Sequence, residues 1–250
     1  VVDCESADLS ALIMQYATFL GTSSQYVNLV SSSPTCSFST GALSKELYVL
    51  LATSDYFAIK AKSSLFKGLD SCFIGGGLNA FTDTFGNKME VISSGYQAIN
   101  YTADATRPNL INFVVSSSKI LFMYFDEPVN TDALDQTKVQ MQDSPLPYTS
   151  AYNLSNLAGA TVLYDADSYK MTVQLALQTD YSTISGDSNI FSLQEYTFLS
   201  ILPSLVADTA GNMVNLINEA DAIGMGPSIV SWNLNLNNSL LEFSFSEEMY

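Results

Sequence analysis

Polar and apolar residues alternate along much of the chain with a period of two, as in a β-strand with one buried face. The clearest alternation runs over Tyr169–Leu177. Further short runs of β-branched or aromatic residues are bounded by turn-forming residues; they are Leu47–Ala52, Lys119–Phe125, Thr137–Met141 and Glu195–Leu199. A helical spacing of apolar residues is hard to find. The pattern therefore predicts an all-β chain of short antiparallel strands.

Three short segments predict turns or irregularities between these strands. Asp165-Ala166-Asp167-Ser168 lies between two strand-like runs and predicts a hairpin turn, and Ala52-Thr53-Ser54-Asp55 occupies the matching place earlier in the chain. Gly75-Gly76-Gly77 lacks the Lys-Ser/Thr pair and the strand-to-helix context of a phosphate-binding loop. We expect these glycines to form a β-bulge or to permit close packing.

One stretch of the sequence occurs twice. Pro108–Val129 reads PNLINFVVSSSKILFMYFDEPV and Pro227–Met249 reads PSIVSWNLNLNNSLLEFSFSEEM, and their first prolines are 119 residues apart. The motif Asp-x-x-Gly-Asn also occurs twice, at Asp83 and at Asp208, 125 residues apart. Self-similarity at a fixed period indicates a repeat architecture, here with a unit of about 120 residues.

The two ends of the chain fall within the repeat rather than at its borders. Tyr250 corresponds to Asn130, and the N-terminal VVDCESADLSALIMQ resembles Val129–Gln142. The expected organisation is a unit at 1–100 that lacks its first two strands, a complete unit at 101–222, and the first two strands of a further unit at 223–250. No signal peptide opens the chain, and we expect it to be a mature or excised piece.

The alternation also predicts the core of the middle unit. Every second residue of a half-buried strand points inward. The expected core residues are Val115, Ile120, Phe125, Val173, Leu175 and Leu177, together with Phe122 or its neighbours Leu121 and Met123. Trp232 aligns with Phe113 in the repeat, so it too is expected in a core.

Composition excludes several classes of protein. Hydrophobic residues make up 47% of the chain, which is enough to build cores and excludes a disordered chain. Only 9 basic residues face 25 acidic ones, for a net charge of −16, so nucleic acid is a poor partner. No apolar run approaches the length of a membrane span. Ser, Thr, Asn and Tyr take the place of charged residues, as on a surface that binds water or glycan.

Cysteines and glycosylation triplets favour an oxidising compartment. The chain has three cysteines, Cys4, Cys36 and Cys72, and no histidine, so a zinc site or haem attachment has no support. We expect Cys36 and Cys72 to form a disulfide, with the third thiol free or bonded to another chain. Triplets of the type Asn-x-Ser/Thr supply the glycosylation candidates, Asn100, Asn153, Asn237 and, beside the last, Asn238.

The repeated Asp-x-x-Gly-Asn motif has two interpretations. Asp accepts hydrogen bonds from nearby backbone amides and Gly adopts a positive φ, so the motif forms a turn without any ligand. The alternative is a calcium site at the junction between units, since calcium prefers several oxygen ligands. Its candidate ligands are Asp83, Asp104, Asp208 and Asp221, with Glu219 beside them. The turn is the favoured interpretation, and no cofactor other than calcium is considered.

Catalysis finds little support in the sequence. Without histidine there is no Ser-His or Cys-His arrangement. The adjacent carboxylates Asp126-Glu127 and Glu247-Glu248 are typical of a solvated strand end rather than of an acid/base pair. We therefore assign no catalytic or cofactor-binding residue and expect the protein not to be an enzyme.

The motifs together resemble a known group of proteins. Asp-x-x-Gly-Asn, then an Asp-containing linker ending in proline (Asp104–Pro108 or Asp221–Pro227), then a strand pair ending at Phe125–Val129 or Phe245–Met249, resembles the tandem Ig-like repeats of large cell-surface proteins. Bacterial S-layer and adhesin repeats, and similar modules in giant surface-filament proteins of protists, belong to this group. The resemblance implies tandem antiparallel β-sandwich repeats and an extracellular location at the cell surface or on an appendage.

The expected function follows from the resemblance and from the incomplete units at the two ends of the chain. We expect a structural repeat unit of an extracellular filament, appendage or surface coat, which assembles head to tail. In this assembly residues 227–250 of one copy would complete the N-terminal unit of the next, either between separate chains or within one longer polypeptide. The alternative is an adhesin or a carbohydrate-binding stalk built from the same modules, with glycans as partners.

Overall fold

A computed structural model describes residues 2–3, 6–19, 25–30, 35–38, 46–155, 162–163, 172–191, 197–225, 229–236 and 239–245. The chain divides into two compact units, Val1–Thr106 and Arg107–Tyr250, here called unit 1 and unit 2. The assignment of 223–250 to a further unit stays a prediction.

Unit 1 consists of short antiparallel strands and one helix. Its elements are β1 (Val2–Asp3), β2 (Leu12–Gln15), β3 (Tyr26–Asn28), β4 (Thr35–Phe38), β5 (Leu47–Leu50), α1 (Thr53–Lys60), β6 (Phe73–Gly76), β7 (Thr82–Asp83) and β8 (Ile92–Gln97). The largest sheet has the order β3-β2-β6-β8, while β4 pairs with β5 and β1 pairs with β7. A small core packs between these elements; its buried members are Leu9, Leu12, Val27, Leu29, Leu65 and Ala80.

Unit 2 contains two four-stranded antiparallel sheets. Its elements are β9 (Leu110–Val115), β10 (Ile120–Phe125), β11 (Val139–Gln142), β12 (Ala151–Asn153), β13 (Val162–Leu163), β14 (Thr172–Ala176), α2 (Gln178–Gly186), β15 (Phe198–Ile201), β16 (Ile223–Gly224), β17 (Ile229–Asn235) and β18 (Leu240–Phe245). The sheets have the orders β13-β14-β10-β9 and β12-β11-β15-β16, and β17 pairs with β18 in a separate hairpin. The all-β class predicted from the alternation is confirmed.

Side chains from both sheets of unit 2 form a single core. The residues of β10 and β14 that point into it are almost completely buried; they are Leu121, Met123, Phe125, Val173 and Leu175, with Leu177 directly after β14. Among the alternatives left open for β10, Leu121 and Met123 are therefore the inward pair. Ile120 and Phe122 lie on the half-buried face, so the expected core position of Ile120 was wrong, because alternation places it on the face opposite to Phe125. Val115 packs against the same core while remaining partly exposed. Two sheets that share one core form the usual layered β architecture.

The two α-helices differ from the expectation of a chain without helices. The predicted turn at Ala52–Asp55 was wrong, since α1 begins at Thr53, and α2 occupies the matching place after β14. Each helix has only eight or nine residues, too few for an apolar period to be recognised. Within the described ranges, neither helix has the length and apolar composition needed to cross a bilayer.

A buried aspartate in the first turn fixes each helix. The carboxylate of Asp55 accepts a hydrogen bond from the backbone N–H of Val30 at 2.8 Å. The carboxylate of Asp180 accepts one from the backbone N–H of Ser155 at 3.0 Å and others from Ser155 Oγ and Tyr152 Oη. A buried carboxylate is stabilised by such bonds and would be costly without them. These bonds attach the first turn of each helix to a segment about 25 residues away in the chain.

The glycine triplet lies where a bulge was expected. The pairing of β6 with β8 shifts register between Ile74 and Gly76, which confirms the bulge. Gly76 has φ +80°, and a Cβ atom on it would lie 2.6 Å from the carbonyl oxygen of Ala11. Only glycine fits there without displacing the backbone.

Candidate assembly interface

The two Asp-x-x-Gly-Asn motifs adopt the same turn. The carboxylate of Asp83 accepts hydrogen bonds from the backbone and side-chain N–H groups of Asn87 at 2.8 and 2.7 Å. The carboxylate of Asp208 accepts the same pair from Asn212, both at 2.8 Å. Gly86 and Gly211 have positive φ angles of 84° and 92°. The turn interpretation of the motif is confirmed at both positions.

Other residues of the two units also match in role. Gln15 and Gln142 are buried, and each donates from Nε2 to the backbone carbonyl two residues ahead, at 2.7 Å in both cases. Asp8 and Asp135 each cap a short 3-10 turn by accepting the backbone N–H two residues ahead. Matching hydrogen bonds at a nearly constant offset allow positions to be compared between the units.

The hairpin β17–β18 carries an exposed apolar face. Trp232 lies opposite Phe243, and on the same face Leu234 lies opposite Leu241. Trp232 is 61% exposed and Phe243 47% exposed, and both leucines are also exposed. The expectation of a core position for Trp232 was therefore wrong in this structure. Its face is left open to solvent, whereas the aligned Phe113 is completely buried.

The hairpin β9–β10 of unit 2 has the same pairing and a buried face. Phe113 lies opposite Met123, in the place of Trp232 opposite Phe243. Val115 lies opposite Leu121, in the place of Leu234 opposite Leu241. Phe113, Met123 and Leu121 are all buried at 0% exposure. The two hairpins therefore share one apolar pattern, which is covered in one case and exposed in the other.

The described part of unit 1 contains a strand, β5, in the place that β14 has in unit 2. In unit 2, β14 pairs with β13 on one edge and with β10 on the other. In unit 1, β5 precedes α1 as β14 precedes α2, but β4 is its one partner among the strands that the structure describes. Tyr48 and Leu50 on β5 are 62% and 71% exposed. A strand edge of this kind can pair with another chain.

On the other face of the strand, Val49 and, directly after β5, Leu51 pack against the core of unit 1. In their packing they correspond to the inward residues Val173 and Leu175 of β14, although an offset of 125 residues would match those two with Tyr48 and Leu50. An exposed strand edge with large apolar side chains is a site for strand addition.

The calcium candidates are engaged with nearby groups of their own units. Asp104 accepts a hydrogen bond from the N–H of Thr106 and forms a 2.8 Å salt bridge with Lys60. Asp221 lies 3.4 Å from the side-chain amide of Asn218. In unit 2, carboxylate oxygens of Glu127 and Asp208 lie within 4.8 Å of one another, and both residues are buried. Calcium at Asp208 therefore stays a prediction.

Hydrogen bonding sets the ionisation of two of these carboxyl groups. The hydrogen bonds from Asn87 hold the pKa of Asp83 below its ordinary value. Burial raises the pKa of Asp104, but the hydrogen bonds from Lys60 and Thr106 lower it by more, so that it too lies below its ordinary value. Both groups are ionised at neutral pH.

The remaining candidates are the cysteine pair and the glycosylation asparagines, and the structure shows the surroundings of some of them. Cys72 is buried, and its Sγ lies 3.1 Å from the carbonyl oxygen of Gly68. The side chain of Cys36 lies outside the described residues, so the Cys36–Cys72 disulfide stays a prediction. Asn100 and Asn153 are exposed, as glycosylation requires. Asn237 and Asn238 are outside the described residues.

Searches with protein-family models, among curated proteins and among solved structures found no match to this chain.

Proposed function

We propose that the chain is a structural repeat unit of an extracellular filament, appendage or surface coat. Each unit is an Ig-like β-sandwich in this proposal, and unit 1 lacks the hairpin that would complete it. The hairpin β17–β18 supplies that element to unit 1 of the next copy. The copies are separate chains or successive periods of one longer polypeptide.

The observation that carries the proposal is the matched face of the two hairpins. The pair Trp232–Phe243 occupies the place of the buried pair Phe113–Met123. Burying an apolar side chain of this size contributes about 1.5–3 kcal/mol relative to leaving it exposed. A hairpin with several such residues in solvent is therefore stabilised strongly by a surface that covers them. Apolar patches of this kind mark interaction sites in soluble proteins.

The acceptor in the proposal is the edge of β5 that has no partner among the described strands. Donor-strand addition uses the backbone hydrogen bonds of the edge for affinity and alternate side chains for specificity. Because the hairpin and the acceptor are different surfaces, the contact is heterologous and propagates into a fibre unless the rotation closes a ring. A thin assembly of units that contact their neighbours agrees with the repeat in the sequence.

The surface chemistry agrees with an extracellular location. A net charge of −16 with few basic residues keeps copies soluble until the apolar faces meet. The exposed asparagines Asn100 and Asn153 offer attachment points for glycans.

The single tryptophan provides a direct test of the proposal. Trp232 belongs to the hairpin and is largely exposed. Its emission maximum should move to shorter wavelength as the protein concentration rises, while sedimentation velocity shows growing oligomers and micrographs show elongated particles. Emission and sedimentation that stay unchanged up to high concentration would contradict the proposal.

A matched control distinguishes specific assembly from non-specific association. Leu241→Glu places a charge on the apolar face of the hairpin, and Leu216→Glu places one on an exposed leucine elsewhere in unit 2. Only the first variant should abolish the concentration dependence. Equal effects of the two variants would argue for non-specific association.

A further inference from the structure

Unit 1 contains an apolar pocket that none of its described residues fills. The pocket has a volume of about 390 Å³, and its walls include Phe66, Cys72, Ile74, Tyr96, Ala98 and Ile99. Tyr96 and Ile99 at its rim are strongly exposed. A pocket of this size and character accommodates one or two apolar side chains.

Unit 2 has a corresponding pocket of about 230 Å³. Phe191 lines it as Phe66 lines the first, and both phenylalanines have positive φ angles, 60° and 53°. At the same point in each unit, the N–H of Met225 donates to the carbonyl of Thr197 and the N–H of Ala98 donates to that of Cys72, both at 2.9 Å. The two pockets are therefore equivalent sites, with Met225 in unit 2 in the place of Ala98.

The end of the hairpin β9–β10 forms one wall of the pocket in unit 2. Val115, Ser116 and Ser117 line it, and the backbone N–H of Val115 lies 3.4 Å from the Sδ of Met225. The hairpin β17–β18 has Leu234, Asn235 and Leu236 at these positions, 119 residues further on. Leu236 is 80% exposed.

At each site one hairpin residue faces one pocket residue, and the larger of the two is on opposite sides in the two sites. Unit 2 combines the small Ser117 on the hairpin with the large Met225 in the pocket. The hairpin β17–β18 carries the large Leu236, and the pocket of unit 1 has the small Ala98. Volume-conserving combinations of this kind are what close packing requires. The larger empty volume of the unit 1 pocket fits the larger side chain of the hairpin.

We propose that the apolar pocket of unit 1 holds the side chain of Leu236 from a second copy of this chain. The inference deepens the proposed function and rests on it, because it names the contact that seats the end of the incoming hairpin. Leu234 lies beside Leu236 in this arrangement, as Val115 lies beside Ser117 in unit 2. The pocket then sets the register of the added hairpin as well as contributing to affinity.

Charge complementation between copies tests the contact. Leu236→Glu and Ile99→Lys alter two strongly exposed positions, one on each side of the proposed contact. Each variant alone should associate about tenfold or more weakly than the parent chain, since a charge replaces a buried apolar contact. An equimolar mixture of the two variants should form oligomers longer than a pair. In these oligomers the contact between the glutamate of Leu236→Glu and the lysine of Ile99→Lys alternates with a parent contact, in which Leu236 of one copy meets the unchanged pocket of the other.

Two controls keep the outcomes distinct. A mixture of Ile99→Lys with Leu236→Lys should stop at pairs, because like charges then meet at every second contact, and circular dichroism should show all variants folded. If Trp232→Ser weakens association but Leu236→Glu does not, or if the mixture of Leu236→Glu with Ile99→Lys also stops at pairs, the pocket inference is wrong while the proposed assembly stands. If Trp232→Ser also leaves association unchanged, the proposed function fails and this inference fails with it.

Discussion

Trp232 and Phe243 face each other across the hairpin β17–β18, on the strands' apolar side and in solvent. The pair at the same place in β9–β10, Phe113 and Met123, lies in the core of unit 2. One sequence pattern is thus found in two environments within one chain. In the proposed assembly, unit 1 of the next copy covers the exposed pair.

The matched aromatic residues should respond differently to substitution. Phe113→Ala removes a fully buried side chain and should destabilise unit 2 by about 3–5 kcal/mol. Trp232→Ser should leave the melting temperature of the dilute monomer unchanged and weaken self-association. Thermal unfolding and sedimentation velocity measure the two effects. A large loss of monomer stability in Trp232→Ser would mean that the hairpin packs on its own chain.

Asp180 should be a major determinant of stability in unit 2. Its buried carboxylate accepts hydrogen bonds from Tyr152 and from two groups of Ser155. Asp180→Ala leaves these donors without their acceptor, so the free energy of unfolding measured in urea should fall by about 3 kcal/mol. Asp132→Ala, at an exposed position of the same unit, should change stability by less than about 0.5 kcal/mol. Similar losses in the two variants would refute the role given to Asp180.

The salt bridge of Asp104 with Lys60 should make unit 1 sensitive to acid. The pKa of Asp104 is lowered in the folded state from an ordinary value of 3.8, so its stabilising effect is present above that pH and is lost as the pH falls through the folded pKa. Asp104→Asn should therefore destabilise the protein by about 1 kcal/mol at pH 7, and the difference should vanish near pH 2.

Denaturant unfolding at the two pH values measures this difference. Asp70→Asn, an exposed carboxyl group of the same unit, is the control and should have little effect at either pH. A destabilisation by Asp104→Asn that is equally large at pH 7 and at pH 2 would show that the charge of Asp104 is not its cause.

Asp208 distinguishes the turn from the calcium interpretation of its motif. If Asp208 serves only as a turn residue, Asp208→Ala should lower the free energy of unfolding by about 1–2 kcal/mol, because two hydrogen bonds from Asn212 are lost. The loss should be the same with and without calcium. Thermal unfolding in calcium, in magnesium and in a chelator checks this. A melting temperature that rises with calcium in the parent chain, and not in Asp208→Ala, would favour a cation held near Asp208 and Glu127 instead.

The sequence predicted the short antiparallel strands, the inward residues of β14 and both Asp-x-x-Gly-Asn turns, since each depends on local alternation or local hydrogen bonds. In β10 it predicted Phe125 correctly but placed Ile120 on the wrong face and left Phe122 open against Leu121 and Met123. It did not predict α1 and α2, because Asp55 and Asp180 are anchored by residues 25 positions away in the chain. It placed Trp232 in a core because alignment shows what a position resembles and not whether a partner covers it. The pocket around Ala98 was missed for a related reason, since its walls come from distant segments; comparing Ser117 with Leu236 could have indicated it.

The register of strand addition is the most direct test of the account. Leu121 on β10 lies opposite Leu175 on β14, and both side chains are in the core of unit 2. The equivalent of Leu121 is Leu241 on β18, and the residue of β5 that packs against the core of unit 1 is Val49. Leu241→Cys and Val49→Cys, placed on separate chains with the native cysteines replaced by serine, should form an intermolecular disulfide under mild oxidation, and the double variant should give a ladder of covalent oligomers on a non-reducing gel. Val91→Cys, at an exposed position elsewhere in unit 1, should give no such product with Leu241→Cys. If Leu241→Cys and Val49→Cys do not cross-link in preference to that control, β18 does not pair with β5 and the proposed assembly is contradicted.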